Sequence, residues 1–216
     1  MVASLVIFDC DGVLVDSEII ACRVGAQCFT AAGFPTTSEE VMERYVGRSA
    51  AFMLSDIEAR HGRALPDGFS ARIHEHTALA FDRELRAIGG VAAAIGKITG
   101  KKCVASSGTL QRIERSLRIT GLFDLFAPHL FSATQVKRGK PAPDLFMLAA
   151  DQMKIAPADC VVVEDSVAGV EAGSAANMRV IGFVGGSHCR PGHAEALRLA
   201  GAATVISRMA DLEAAL

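Results

Sequence analysis

The sequence has no basic tract and no acidic tail. Its 22 lysines and arginines stand against 24 aspartates and glutamates, a net charge of −2. A nucleic-acid surface needs a concentrated positive footprint, so no nucleic-acid partner is expected, although a small phosphorylated ligand is compatible with this balance. No Cys-x-x-Cys pair occurs among Cys10, Cys22, Cys28, Cys103, Cys160 and Cys189. Scattered among apolar residues, these read as free, mostly buried thiols of a reducing compartment. No apolar run approaches the ~20 residues of a membrane span. Asp9 and Asp11 interrupt the N-terminal apolar run too early for a secretory signal. No internal repeat or low-complexity segment is present. The expectation is a cytoplasmic protein without a membrane partner, and a monomer.

What the sequence does have is apolar mass. Of its 216 residues, 50% are hydrophobic, enough for one core with a modest insertion. Residues 2–8 form a short continuous apolar run, which suits a strand buried on both faces. Similar runs recur at 103–105, 160–163, 180–184 and 204–206. Helical patterns lie between them. Leu110, Ile113 and Leu117 make one stripe, closed by Gly121, and Leu145, Leu148 and Ala149 begin another. This alternation predicts an α/β fold with a doubly wound, Rossmann-like, mostly parallel sheet.

Residues 16–88 carry helix signals only. Ile19, Cys22, Ala26 and Phe29 fall on one face, with Gly33 as the stop. Thr37 and Glu40 fit a capping box, and Gly62 reads as a stop after His61. Ile73, Thr77, Phe81 and Leu85 make another stripe, ended by Gly89-Gly90. The expected organisation is an α/β core at 1–15 and 89–216, interrupted by an all-helical cap at 16–88.

Four segments carry chemistry. In Phe8-Asp9-Cys10-Asp11-Gly12, a strand runs into two carboxylates one residue apart, and Gly12 permits the sharp turn that brings Asp11 back toward Asp9. In Ser106-Ser107-Gly108, a second strand ends in hydroxyls and backbone amides ahead of a helix, suited to phosphate oxygens. Lys140 precedes two stiffening prolines, and its ammonium can neutralise a phosphoryl group beside a carboxylate. Glu164-Asp165-Ser166 ends another strand, and clustered acids there call for a cation; oxygen-rich donors favour magnesium. Taken one at a time, each also reads as ordinary turn or capping chemistry. Together, and in this order, they describe one site.

These stretches, with Leu122-Phe123-Asp124-Leu125-Phe126 and Lys140-Pro141-Ala142-Pro143-Asp144, resemble the haloacid dehalogenase superfamily, in its β-phosphoglucomutase-like and 6-phosphogluconate phosphatase-like branch. The resemblance covers essentially the whole chain. It implies a Mg2+-dependent phosphatase acting on small sugar or sugar-acid phosphates through an aspartyl-phosphate. By that resemblance Asp9 is the nucleophile and a metal ligand, and Asp11 is the general acid/base and ligates through its carbonyl. Ser106 and Lys140 hold the phosphoryl group, with Ser107 and Gly108 beside it. Asp165 is a metal ligand, and Glu164 is one directly or through water. In the cap, Gly47, Arg48 and Glu18 are the candidate substrate contacts.

Two absences sort the rivals. Mutases of this branch carry a histidine shortly after the Asp-Ser pair, where this chain has Glu18-Ile19-Ile20-Ala21, so hydrolysis is favoured over isomerisation. No lysine lies between Asp16 and Ile88, which argues against Schiff-base phosphonate chemistry. A signalling phospho-acceptor would be shorter and would lack the helical insertion. If Arg48 reads a second anion, Arg48→Ala should cost roughly 10–150-fold in kcat/KM on the best doubly charged substrate. It should cost far less on p-nitrophenyl phosphate, and equal losses in steady-state assays would remove Arg48 from recognition.

Overall fold

The computed structural model describes residues 3–46 and 50–216. Its centre is a strand made of nothing but apolar side chains: β1, Leu5–Phe8, with all four residues fully buried. Fully burying such a side chain is worth about 1.5–3 kcal/mol, and a strand apolar on both faces has no stable place except the middle of a covered sheet. β1 pairs in parallel with β2 (Lys101–Ser106) on one side and β4 (Cys160–Glu164) on the other. β3 (Leu130–Ser132), β5 (Arg179–Phe183) and β6 (Thr204–Ile206) extend the sheet to the order β3-β2-β1-β4-β5-β6, with every pair parallel. The chain builds outward from β1 in one direction, then returns to build from its other edge. The reversal falls between β1 and β4. In doubly wound sheets the crevice at the carboxyl ends of such a pair is where ligands bind.

The crossover helices are α5 (Val91–Lys97), α6 (Leu110–Ile119), α7 (Asp144–Met153), α8 (Val167–Ala175) and α9 (His193–Leu199), followed by the short α10 (Leu212–Ala215). β3 and α5 have no counterpart in the sequence reading, because three and seven residues are too short to show a period. Gly90 does not end the preceding helix. It is the N-cap of α5, with φ +78°, and Leu85 in extended backbone stops the earlier helix.

The chain divides into two compact units: Met1–Asp16 with Arg86–Leu216, and Ser17–Leu85. The second unit consists of α1 (Glu18–Ala31), α2 (Ser38–Tyr45), α3 (Ala50–His61) and α4 (Phe69–Glu84). Its core includes Phe29 against Phe69, ring centroids 5.1 Å apart. The Thr37 capping box forms, with the hydroxyl accepting from Glu40 N and the Glu40 carboxylate accepting from Thr37 N. Tyr45 donates to Asp56 Oδ2 at 2.6 Å and accepts from Arg60 at 3.3 Å, tying α2 to α3. The expected α1 stripe is corrected: Ile19 is 39% exposed, and Ile20, Val24 and Cys28 join Cys22, Ala26 and Phe29 on the buried face. Ile73 is only half-buried, and Phe69 and Ala80 complete the inner face of α4 with Thr77 and Phe81. Gly47 and Arg48 lie outside the described residues, and Glu18 is the half-exposed first residue of α1.

Candidate active site

Sheet register sets the site. Phe8 pairs with Val104 and with Val163, so one residue further on Asp9 stands level with Ala105 and Glu164. The Asp9 amide donates to Val163 O at 3.0 Å, fixing its backbone beyond the ladder. Lys140, in the loop before α7, then crosses the strand ends. Its ammonium donates to Asp9 Oδ1 at 2.6 Å, to Glu164 Oε1 at 2.6 Å and to the Ala105 carbonyl at 3.1 Å. That side chain is only 4% exposed. A buried ammonium has three protons to satisfy, and these three acceptors satisfy them.

Glu164 is held from the other end as well. Its Oε2 accepts from Ser166 N at 2.9 Å and Ser166 Oγ at 3.0 Å, while Ser166 Oγ accepts from Gly169 N and so caps α8. With Oε1 on Lys140 and Oε2 on Ser166, this carboxylate serves as the counter-ion of Lys140. A Cβ on Gly169 would land 1.8 Å from Glu164 Oε1. Gly169→Ala is therefore expected to destabilise by about 1–3 kcal/mol through overpacking, even though alanine is the better helix former. Urea unfolding with an unchanged midpoint would refute that account.

Asp11 stands immediately before the turn that Gly12 makes at φ +77°. Its Oδ1 accepts from Arg112 NH2 at 3.0 Å. Arg112 is in the first turn of α6, capped by Thr109. A cation is poorly placed against the positive end of a helix, and the pairing with Asp11 compensates. Ser106 is buried at the end of β2, its Oγ accepting from Gly108 N at 3.3 Å. Ser107 is exposed. The loop is braced from β3, where Ser132 Oγ donates to the Gly108 carbonyl at 2.6 Å.

The loop after β5 supplies two further groups. Asp165 Oδ2 accepts from His188 Nε2 at 2.9 Å, and His193 Nε2 lies 2.5 Å from the Asp165 carbonyl. His188 is 3% exposed. Gly12 and Gly186 leave room for its ring: a Cβ on Gly12 would sit 1.9 Å from Asp165 Oδ2 and 2.9 Å from His188 Cε1, and one on Gly186 would sit 2.8 Å from Cε1. The available signal was the pair of glycines ahead of a histidine at a strand's carboxyl end. Asp16 anchors the same loop, accepting from the amide and hydroxyl of Ser187. Lys140 therefore shares the site with two further basic groups, since Arg112 and His188 each pair with one of its acids.

The electrostatics leave a deficit of positive charge. Burial pushes the Asp9 carboxyl well above the usual range, against the pull of Lys140. Burial likewise raises Asp165, against the hydrogen bond from His188. Burial disfavours the charged form of Lys140, but Asp9 and Glu164 outweigh it and hold the ammonium protonated. For His188, burial is again outweighed, here by the Asp165 hydrogen bond, and its pKa rises to about 11. Three buried acids, Asp9, Glu164 and Asp165, face two cations, Lys140 and His188. A site of this kind accepts a further cation through oxygen donors, and it presents Asp9 beside an ammonium, as attack on an anion requires.

A model of the haloacid dehalogenase-like hydrolase family matches residues 3–177, and the chain belongs to that family. Among curated proteins it is 35% identical over 187 residues to the 6-phosphogluconate phosphatase of Escherichia coli, covering 86% of this chain and 85% of that protein. A solved haloacid dehalogenase-like protein of unknown function from Agrobacterium tumefaciens superposes with a TM-score of 0.90 at 42% identity, covering 99% of this chain and 97% of that one. A family hydrolase from Deinococcus radiodurans, solved with bound phosphate and sodium, superposes at 0.83 with 33% identity, covering 99% and 94%. The chain is accordingly a phosphoric monoester hydrolase of this family, with an α/β Rossmann-like fold.

Proposed function

We propose that this hydrolase is magnesium-dependent, that it cleaves small sugar or sugar-acid phosphates, and that Asp9 forms an aspartyl-phosphate. The observation that carries the reading is the bridge Asp9–Lys140–Glu164 at the carboxyl ends of β1 and β4. The substrate class is supported by the similarity to a 6-phosphogluconate phosphatase.

The donor chemistry fits magnesium. Asp9 and Asp165 offer carboxylate oxygens and Asp11 offers its backbone carbonyl, whereas both oxygens of Glu164 are already engaged, which favours the water-bridged alternative for Glu164. When bound, the ion would offset the charge of the buried acids and of the phosphoryl oxygens. The chain's own residues do the rest. Lys140 draws the phosphoryl group toward Asp9 and neutralises part of its charge. Ser106 and the amides of Ser107 and Gly108 orient the oxygens. An Asp9 oxygen attacks phosphorus in line as the ester oxygen leaves. Asp11, held at Oδ1 by Arg112, protonates the leaving alcohol and later takes a proton from the water that releases phosphate.

Two assays test this. Phosphate release from p-nitrophenyl phosphate should fall to background after EDTA and return with Mg2+; full activity after exhaustive chelation would overturn the metal dependence. A panel of phosphorylated sugars, sugar acids and nucleotides should return its highest kcat/KM on a sugar or sugar-acid phosphate, and a nucleotide at the top would overturn the substrate class.

A further inference from the structure

The loop Gly186-Ser187-His188-Cys189-Arg190-Pro191-Gly192-His193 carries chemistry that hydrolysis does not use. One nitrogen of each imidazole and the Cys189 sulfur all lie within 4.8 Å of one another. His188 Nε2 is 3.5 Å from Cys189 Sγ, and the two rings meet edge to face with centroids 5.8 Å apart. His188 Nδ1 is buried with no hydrogen-bond partner among the described residues, while the Nε2 that faces Cys189 is held by Asp165 Oδ2, so a cation beside Cys189 competes with that acid for the ring. Cys189 is half-exposed, whereas the other five thiols are buried.

We propose that His188, Cys189 and His193 form a second cation site, selective for a borderline-soft divalent ion of the zinc type. Two imidazoles and a thiolate match tetrahedral zinc with one position left for water or a carboxylate, His188 and Cys189 each releasing a proton as the ion binds. Magnesium demands oxygen donors and is refused there, as zinc's preference for nitrogen and sulfur separates it from the oxygen set at Asp9 and Asp165. The placement makes the site inhibitory. Both rings also grip Asp165, at Oδ2 and at its carbonyl. A cation drawing the two imidazoles toward Cys189 re-aims that acid, and neighbouring groups that orient a metal ligand typically matter by 10–100-fold in affinity or activity. This inhibitory consequence rests on the hydrolytic role proposed for Asp165; the binding site itself does not.

The full chain should bind one equivalent of Co2+ in excess Mg2+, with the near-ultraviolet charge-transfer band of a cobalt–thiolate bond. Zn2+ should displace it. Cys189→Ser should erase the band and weaken Zn2+ by at least ~10-fold, while Cys28→Ser, near His76 in the helical unit at 3.6 Å, should change neither. Stoichiometric Zn2+ should then inhibit the Mg2+-loaded wild type and spare Cys189→Ser. No cobalt–thiolate band, or a band that survives Cys189→Ser, overturns the site. Equal inhibition of both proteins despite the expected band change overturns the coupling to Asp165. If the chain releases no phosphate from any ester, the cobalt band still decides the site alone.

Discussion

Asp9→Asn is expected to abolish phosphate release while leaving the fold intact. The amide keeps the shape and the contact with Lys140 but has no anionic oxygen to attack phosphorus. Losing a covalent nucleophile from a concerted site costs roughly 10,000-fold or more in kcat, about 5 kcal/mol of barrier. Stability should move the other way or not at all. Burial already raises the Asp9 carboxyl, so the substitution removes one charge from a cluster with too many acids. Circular dichroism and urea unfolding check the fold, and a phosphate-release assay checks the chemistry. Residual turnover above about one per cent in the folded variant would show that Asp9 is not the nucleophile.

Lys140→Met should do the reverse. It removes the cation shared by Asp9 and Glu164, both within 2.6 Å, and leaves two acids facing each other under cover. Breaking a buried ion pair from one side costs about 3–5 kcal/mol, enough to consume much of an ordinary domain's stability. Activity should fall with it, because the phosphoryl group loses its ammonium. The pair of variants is diagnostic. Neutralising the acid should spare stability and neutralising the base should not, as measured by denaturant midpoints under one buffer condition. Equal midpoints for Lys140→Met and wild type would mean that the acids are compensated without it.

How much of this was legible in the sequence depends on range. The α/β architecture was readable because β1, β4 and β5 are apolar on both faces, and a run such as Leu5-Val6-Ile7-Phe8 has few other uses. β3 was not, since three residues carry no period and Leu130–Ser132 becomes a strand only because β2 offers it an edge. Ile19 was misread because spacing fixes relative directions around a helix but not which direction faces the core, and α1 turns Ile20 inward instead. At the site, the spacing of Asp9, Asp11, Ser106, Lys140, Glu164 and Asp165 pointed to one chemistry, and the structure brings Lys140, Asp9 and Glu164 into contact. Their neighbours were hidden. Arg112 and His188 reach Asp11 and Asp165 across 101 and 23 positions of chain, and the glycines ahead of His188 are the one local mark of either. The engagement of Glu164 by both Lys140 and Ser166 is likewise a three-dimensional fact.

The strand order has a consequence for synthesis on the ribosome. β1 leaves the exit tunnel before both of its neighbours, which begin at Lys101 and Cys160. At roughly 5–20 residues per second, Leu5-Val6-Ile7-Phe8 waits many seconds with both edges bare. The helical segment Ser17–Leu85 emerges during that interval and is built from local contacts, which form quickly. The nascent chain therefore spends much of its translation as a folded helical unit trailing an unpaired hydrophobic strand, the kind of segment that chaperones bind and that aggregates when they do not. Asp9 acquires its partners only when Lys140 and Glu164 have been added, so a ribosome stalled before that point displays Asp9 without the site around it.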